Sequence, residues 1–236
     1  MKTIGIIGGL GPEATVDYYN GIINAFKNES GDLNYPEIII YSVNMSEFIG
    51  LMKEKRYDEA VDKVVDKAES LERAGAEFIA ITANTPHMLF DQIQERSPLP
   101  LISIVSATCE ECIRKRLKRT GLMGTGFTMN AAFYPDVFNK RGIEVILPDE
   151  GDKELINHKL FSEIELGIFR DDTRELLISI IEKMKREQNI DSMILGCTEL
   201  PLILKENAYA GIPMLNTTQI HVNAIVKYCM GKNDLI

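Results

Sequence analysis

The feature that most constrains the fold is a regular alternation of short apolar runs with longer amphipathic ones. Strand-like runs cover residues 3–8, 37–43, 78–82, 101–104, 121–124, 143–147, 193–196 and 214–216. Helical periodicity fills the intervals at residues 13–28, 57–74, 154–167, 173–187 and 217–230. Such alternation predicts an α/β fold with mainly parallel sheets. Several runs are apolar throughout, as expected of strands covered on both faces.

A weak internal repeat divides this pattern. Gly5-Ile-Ile-Gly-Gly-Leu-Gly11 resembles Gly121-Leu-Met-Gly-Thr-Gly-Phe127, and Ile81-Thr-Ala-Asn-Thr85 resembles Leu195-Gly-Cys-Thr-Glu199. Both pairs are separated by roughly 115 residues, which predicts two similar, pseudo-symmetric α/β domains. The expected division is residues 1–98 plus 214–236 for the first and 99–213 for the second. Ligands of open α/β sheets bind beyond the carboxyl ends of the strands, so the site is expected in a cleft between the two halves.

The chain has 236 residues and a formal charge of −9. That balance argues against nucleic acid or an anionic membrane surface as partner. No apolar run approaches the roughly 20 residues needed to span a bilayer. The four cysteines, Cys109, Cys112, Cys197 and Cys229, are expected to be reduced thiols in the cytoplasm. Cys109 and Cys112 form a C-x-x-C inside a helical stretch without a second pair or a nearby histidine. Half-buried helix cysteines fit better there than zinc or redox use. His87, His158 and His221 show no ligand spacing, and no metal site is expected.

Four turns carry chemistry. Gly9-Leu-Gly11-Pro-Glu-Ala14 matches the dinucleotide fingerprint in form. The next strand ends in Ser42-Val43-Asn44, without the acid that would hold a ribose. The favoured reading is a turn at Gly11 whose amides can receive a carboxylate. Leu195-Gly-Cys197-Thr198-Glu199-Leu-Pro201 puts a thiol at a strand end and a helix start, where its pKa is expected to fall. Thr125 and Thr128 sit at a similar turn and could cap a helix, hold a carboxylate, or both. Ala83-Asn84-Thr85-Pro86-His87 ends an apolar strand in small and polar groups. His87 there either meets a ligand or caps its own turn.

Taken together, GIIGGLGPEAT, ANTPH, LMGTGFTMNAAFY and LGCTELPL resemble the aspartate/glutamate racemase superfamily, and most closely its aspartate racemase branch. The resemblance covers nearly the whole chain and includes ELINHKLFSEIELG. It implies a homodimer of two-domain subunits acting on a small amino acid or related carboxylate, with no pyridoxal phosphate or other cofactor. It implies Cα proton transfer by two thiol groups, one from each half. Carried onto this sequence, Cys197 is the second acid/base. Asn84, Thr85 and Thr198 hold the substrate, with Thr125, Thr128 and Gly11 as further binders. The first thiol's position is Ala83, which can move no proton. The arginine that aspartate racemases use for the distal carboxylate has no counterpart in SVNMSEFIGLMKEKRY before Arg56. Three activities remain open: a racemase with another first proton carrier, a one-base enzyme resembling the superfamily's decarboxylases, and a silent carboxylate binder. His158 and Lys159 are candidate cations on the 154–167 segment.

Overall fold

The computed structural model describes residues 1–232. Their backbone forms two compact units: Met1–Ala107 with the chain from Thr218 onward, and Thr108–Thr217.

In the first unit, strands β1 (Ile4–Gly8), β2 (Ile38–Ser42), β3 (Phe78–Ile81) and β4 (Leu101–Ile102) form a parallel sheet in the order β2-β1-β3-β4. In the second, β5 (Arg119–Gly124), β6 (Glu144–Ile146), β7 (Ser192–Gly196), β8 (Ala208–Tyr209) and β9 (Ile212–Asn216) lie in the order β6-β5-β7-β9-β8. The first four of these are parallel, and only β8 runs antiparallel. Apart from β8 the two sheets share one strand order, so the repeat seen in the sequence is a repeat of topology. β1, β3 and β7 are buried along their whole length, which is why their sequences are continuously apolar.

The sequence reading places residues 99–213 in the second unit. Strand pairing moves both edges: Ile79 and Ala80 pair with Leu101 and Ile102, while Met193, Ile194 and Leu195 pair with Met214, Leu215 and Asn216. β4 therefore belongs to the first sheet and β9 to the second. The expected strand at 101–104 also stops early, because Ile104 begins helix Ile104–Arg114.

Helices cover the sheets with the predicted stripes. Helix Tyr57–Arg73 buries Ala60, Val61, Val64, Val65, Ala68 and Leu71, which fall on one face at helical spacing. Helix Pro12–Ser30 starts on a proline, whose missing N–H is harmless there. It ends on Gly31 in the left-handed conformation. The first core gathers Ile4, Ile6, Tyr18, Ile22, Phe78 and Ile225; the second gathers Met123, Met129, Ile156, Leu160, Leu177 and Leu195. Cys109 and Cys112 lie in the helix as read from the sequence, but they are fully rather than half buried, and both are free thiols. Burial pushes them up to about 11 and about 12, respectively, so they resist ionisation.

Two buried histidines brace the first unit. Ile104 N–H donates to His87 Nε2 at 3.2 Å, so the ring proton is on Nδ1, which donates to the Ala83 carbonyl at 2.9 Å. His221 donates from Nε2 to the Ile102 carbonyl at 2.9 Å and accepts the Tyr18 hydroxyl on Nδ1 at 2.8 Å. The rings meet edge to face at 6.1 Å, and Phe90 stacks on His87 at 5.3 Å. Burial, then the neighbouring His221, lowers His87 to about 3; burial lowers His221 to about 4. Both folded values lie below the unfolded value near 6.5. The stability these neutral rings contribute is therefore complete above about pH 6.5 and is lost as pH falls toward the folded values. At pH 5 each histidine should cost the fold about 2 kcal/mol. Urea midpoints at pH 7.5 and pH 5 test this, and a flat profile would contradict it.

Candidate active site

In the second unit, β5 and β7 approach closely at their carboxyl ends. Gly124 pairs with Gly196, and a Cβ added to Gly124 would sit 2.7 Å from the Gly196 carbonyl oxygen. Only glycine allows this contact, which brings the two following turns side by side. After β5, Thr125 takes an extended backbone and its hydroxyl receives Thr128 N–H at 3.3 Å, capping helix Gly126–Asn130. The two hydroxyls lie 3.3 Å apart. Asn157, on helix Glu150–Ser162, accepts Gly126 N–H at 2.7 Å and fixes the turn from outside.

After β7 comes Cys197, which is 5% exposed. Its thiol lies 3.1 Å from Glu199 Oε2 and 3.2 Å from Glu165 Oε1, and the single S–H can point to either carboxylate. Thr198 donates its hydroxyl to Glu199 Oε2 at 2.9 Å. Glu165 reaches the thiol from the short 3₁₀ turn Ile164–Leu166. Sequence spacing gave no hint of it, because 32 residues separate it from Cys197. The expected single helix over 154–167 ends at Ser162, and this break aims Glu165 at the thiol. Lys159 is paired with Glu163 at 2.6 Å.

The thiol's ionisation runs opposite to the sequence expectation. The following helix, Leu200–Ile203, is only four residues long, so its dipole is slight. Burial comes first, and the negative charges of Glu199 and Glu165 add to it; together they raise Cys197 well above an ordinary thiol. The group is therefore a protonated acid at neutral pH, with carboxylates beside it that can accept its proton. Glu199→Gln removes one of the raising charges. Thiolate ultraviolet absorbance followed against pH should then show Cys197 titrating at lower pH than in the parent. Unchanged titration would mean that Glu199 does not act on the thiol. The donor atoms of Glu165, Cys197 and Glu199 all lie within 4.8 Å of one another, close enough to share a cation.

In the first unit, Ala83, Asn84 and Thr85 follow β3 and are buried. Asn84 precedes the 3₁₀ turn Thr85–Leu89 and accepts His87 N–H on its carbonyl at 2.9 Å. His87 caps its own turn and holds the Ala83 carbonyl. The Gly11 turn is tied internally: Thr15 Oγ1 receives Gly9 N–H at 2.9 Å and donates to the Gly11 carbonyl at 3.1 Å. Thr82 lies 3.3 Å from Thr15 Oγ1, on this turn's side. Thr15 was not singled out in the sequence, although Gly8 leaves it no room to move: a Cβ there would meet its methyl at 2.4 Å.

Two α/β units of one strand order, the second with a buried thiol between two carboxylates at a strand end, make up the fold and the candidate site. The chain belongs to the Asp/Glu/hydantoin racemase family, whose model matches residues 7–225. It is 28% identical over 218 residues to RacX of Bacillus subtilis, described as a broad specificity amino-acid racemase, covering 91% of this chain and 92% of that protein. Among solved structures it resembles PH1733 of Pyrococcus horikoshii, described as an aspartate racemase homologue, at 36% identity and TM-score 0.84, covering 98% of this chain and 100% of that one. The aspartate racemase of Picrophilus torridus shares the fold at 20% identity and TM-score 0.77, over 98% of this chain and 95% of that one. No helix among the described residues is long and apolar enough to cross a membrane.

Proposed function

We propose that the protein is a pyridoxal-phosphate-independent amino-acid racemase, acting as a cytoplasmic homodimer, with Cys197 as the acid/base at Cα. The observation that carries this reading is the buried Cys197 thiol between Glu165 and Glu199, in a chain of this family. Thiol and carboxylates together form a short proton relay: a carboxylate takes the S–H proton, the thiolate takes the Cα proton, and the reverse steps return it. Thr125, Thr128 and Thr198 supply hydroxyls for the substrate's carboxylate and ammonium. Asn84, Thr85 and Gly11 are the first unit's contribution to binding.

Ala83 favours a second reading, a one-base enzyme that exchanges the Cα proton on one face only. The two readings separate in D2O. Candidate amino acids are incubated with the protein, and Cα–H loss by NMR is compared with inversion by chiral chromatography. Exchange accompanied by inversion supports the racemase. Exchange with retention supports the one-base enzyme. Binding without exchange would remove both and leave a carboxylate-binding protein.

A further inference from the structure

We infer that His87 is a positioning residue for the proposed reaction: one ring nitrogen sets the turn that presents Asn84 to the substrate, while the other anchors a neighbouring helix. The inference rests on the reading of Asn84 and Thr85 as substrate binders. β3 ends at Ile81, and the chain leaves the sheet through Ala83, Asn84 and Thr85. A buried carbonyl that has left its ladder must find another donor. His87 supplies two. Its Nδ1–H donates to the Ala83 carbonyl at 2.9 Å, and its backbone N–H donates to the Asn84 carbonyl at 2.9 Å. Those carbonyls belong to the peptide planes on either side of Asn84. Each peptide is rigid, so holding both planes holds φ and ψ of Asn84, and with them the direction of its side chain.

Other groups fix the ring. Its Nε2 receives Ile104 N–H at 3.2 Å, and Ile104 opens helix Ile104–Arg114, whose first amides have no intrahelical carbonyl to meet. Phe90 stacks on the ring within 7° of parallel, and His221, tied to Tyr18 and Ile102, meets it edge on. β3 and β4 are neighbours in the sheet, so the ring joins the carboxyl ends of two adjacent strands. It is 3% exposed with both nitrogens engaged, so it acts on the reaction through the turn alone. The two nitrogens are separable by substitution. Asparagine places its amide N–H near the position of Nδ1 and can keep the bond to Ala83. Glutamine is one carbon longer, reaches the position of Nε2 and can keep the bond from Ile104. Each loses one buried hydrogen bond, so a purely structural histidine predicts similar behaviour from both.

The test compares the full-length parent with His87→Asn and His87→Gln. Both variants should lose thermal stability to a similar extent. His87→Asn should keep the parent's backbone amide resonances at Asn84 and Thr85, and its half-saturating amino acid concentration for Cα–H exchange in D2O. His87→Gln should shift those resonances and raise the half-saturating concentration about ten-fold, with a smaller change in the saturated rate. Parent-like behaviour of His87→Gln, or equal losses in the two variants, overturns the inference and leaves the racemase reading intact. If no amino acid exchanges in the parent, the racemase reading fails by itself, and dissociation constants from saturation-transfer NMR replace half-saturation. The same contrast between variants then supports the positioning role; its absence, or binding of no amino acid, overturns it. Should the variants not fold, hydrogen exchange of the parent decides. The ring Nδ1–H and the backbone N–H of His87 should show equal protection, because the turn opens when the ring bond breaks. A ring proton protected ten-fold less than that amide would show that the turn stays closed without it, and would overturn the inference.

Discussion

Replacement of Cys197 by alanine is expected to lower Cα–H exchange by on the order of 10²–10⁴-fold, the usual worth of a positioned acid/base. The loss should appear in the chemical step and leave substrate binding nearly intact, because the hydroxyls and amides assigned to binding remain. Removing the sulfur also relieves the site of a group that sits between two carboxylates. Glu165 and Glu199 would then lose the donor between them, and some local rearrangement is expected. Cys197→Ser is the control for this, since it keeps one donor that can point to either carboxylate while presenting a far weaker carbon base. Both variants should retain the parent's thermal unfolding midpoint to within a few degrees. Parent-like exchange in a folded Cys197→Ala protein would remove Cys197 from the mechanism and the proposed function with it.

How far the sequence disclosed this site depends on the range over which each feature is encoded. The fold class was legible because continuous apolar strands, glycine turns and helical stripes are local. Gly5–Gly11 and Gly121–Phe127 repeat in order, and the two sheets repeat their strand order in the same way. The two-residue strand β8 was not legible. It forms because Ala210 and Gly211 turn the chain at positive φ onto β9, and nothing in Ala208–Tyr209 itself is strand-like enough to announce it. β4 was read two residues too long, since Ile104 extends the apolar run, whereas Ser103 receives Ser106 N–H and Ile104 begins the helix. Cys197 was found from its place at a strand end. Its charge state was misjudged because a helix N-terminus was expected to dominate, whereas burial and two carboxylates decide it. Glu165 is the clearest loss. Its position depends on a helix ending at Ser162 and a turn of three residues, and its partner is far away in sequence. His87 shows the opposite case: an eye-catching polar residue whose ring is fully occupied by Ala83 and Ile104.

Introducing a thiol at Ala83 should raise inversion relative to exchange by on the order of 10²-fold or more, the range of one added acid/base. Ala83 is the first unit's counterpart of Cys197. It follows β3 as Cys197 follows β7, on strands that hold the same place in sheets of the same order. Alanine itself can return no proton, so on the proposed reading this position leaves the second face unserved and favours retention over inversion. Ala83→Cys adds one sulfur to an existing Cβ. The backbone is held in place independently, because the Ala83 carbonyl accepts from His87 Nδ1 at 2.9 Å. The position is 5% exposed, so the added atom displaces neighbours slightly, and a modest fall in stability of about 1–3 kcal/mol is expected. That cost is separable from the chemistry, since it changes the folded fraction and leaves the ratio of inversion to exchange in the folded enzyme untouched. Ala83→Ser should give a smaller rise, because a hydroxyl is a poorer proton carrier at Cα than a thiol. Inversion that stays at the parent's ratio in a folded Ala83→Cys protein would show that this position does not reach the substrate's second face. The proton carrier for that face would then have to lie elsewhere in the chain or in solvent.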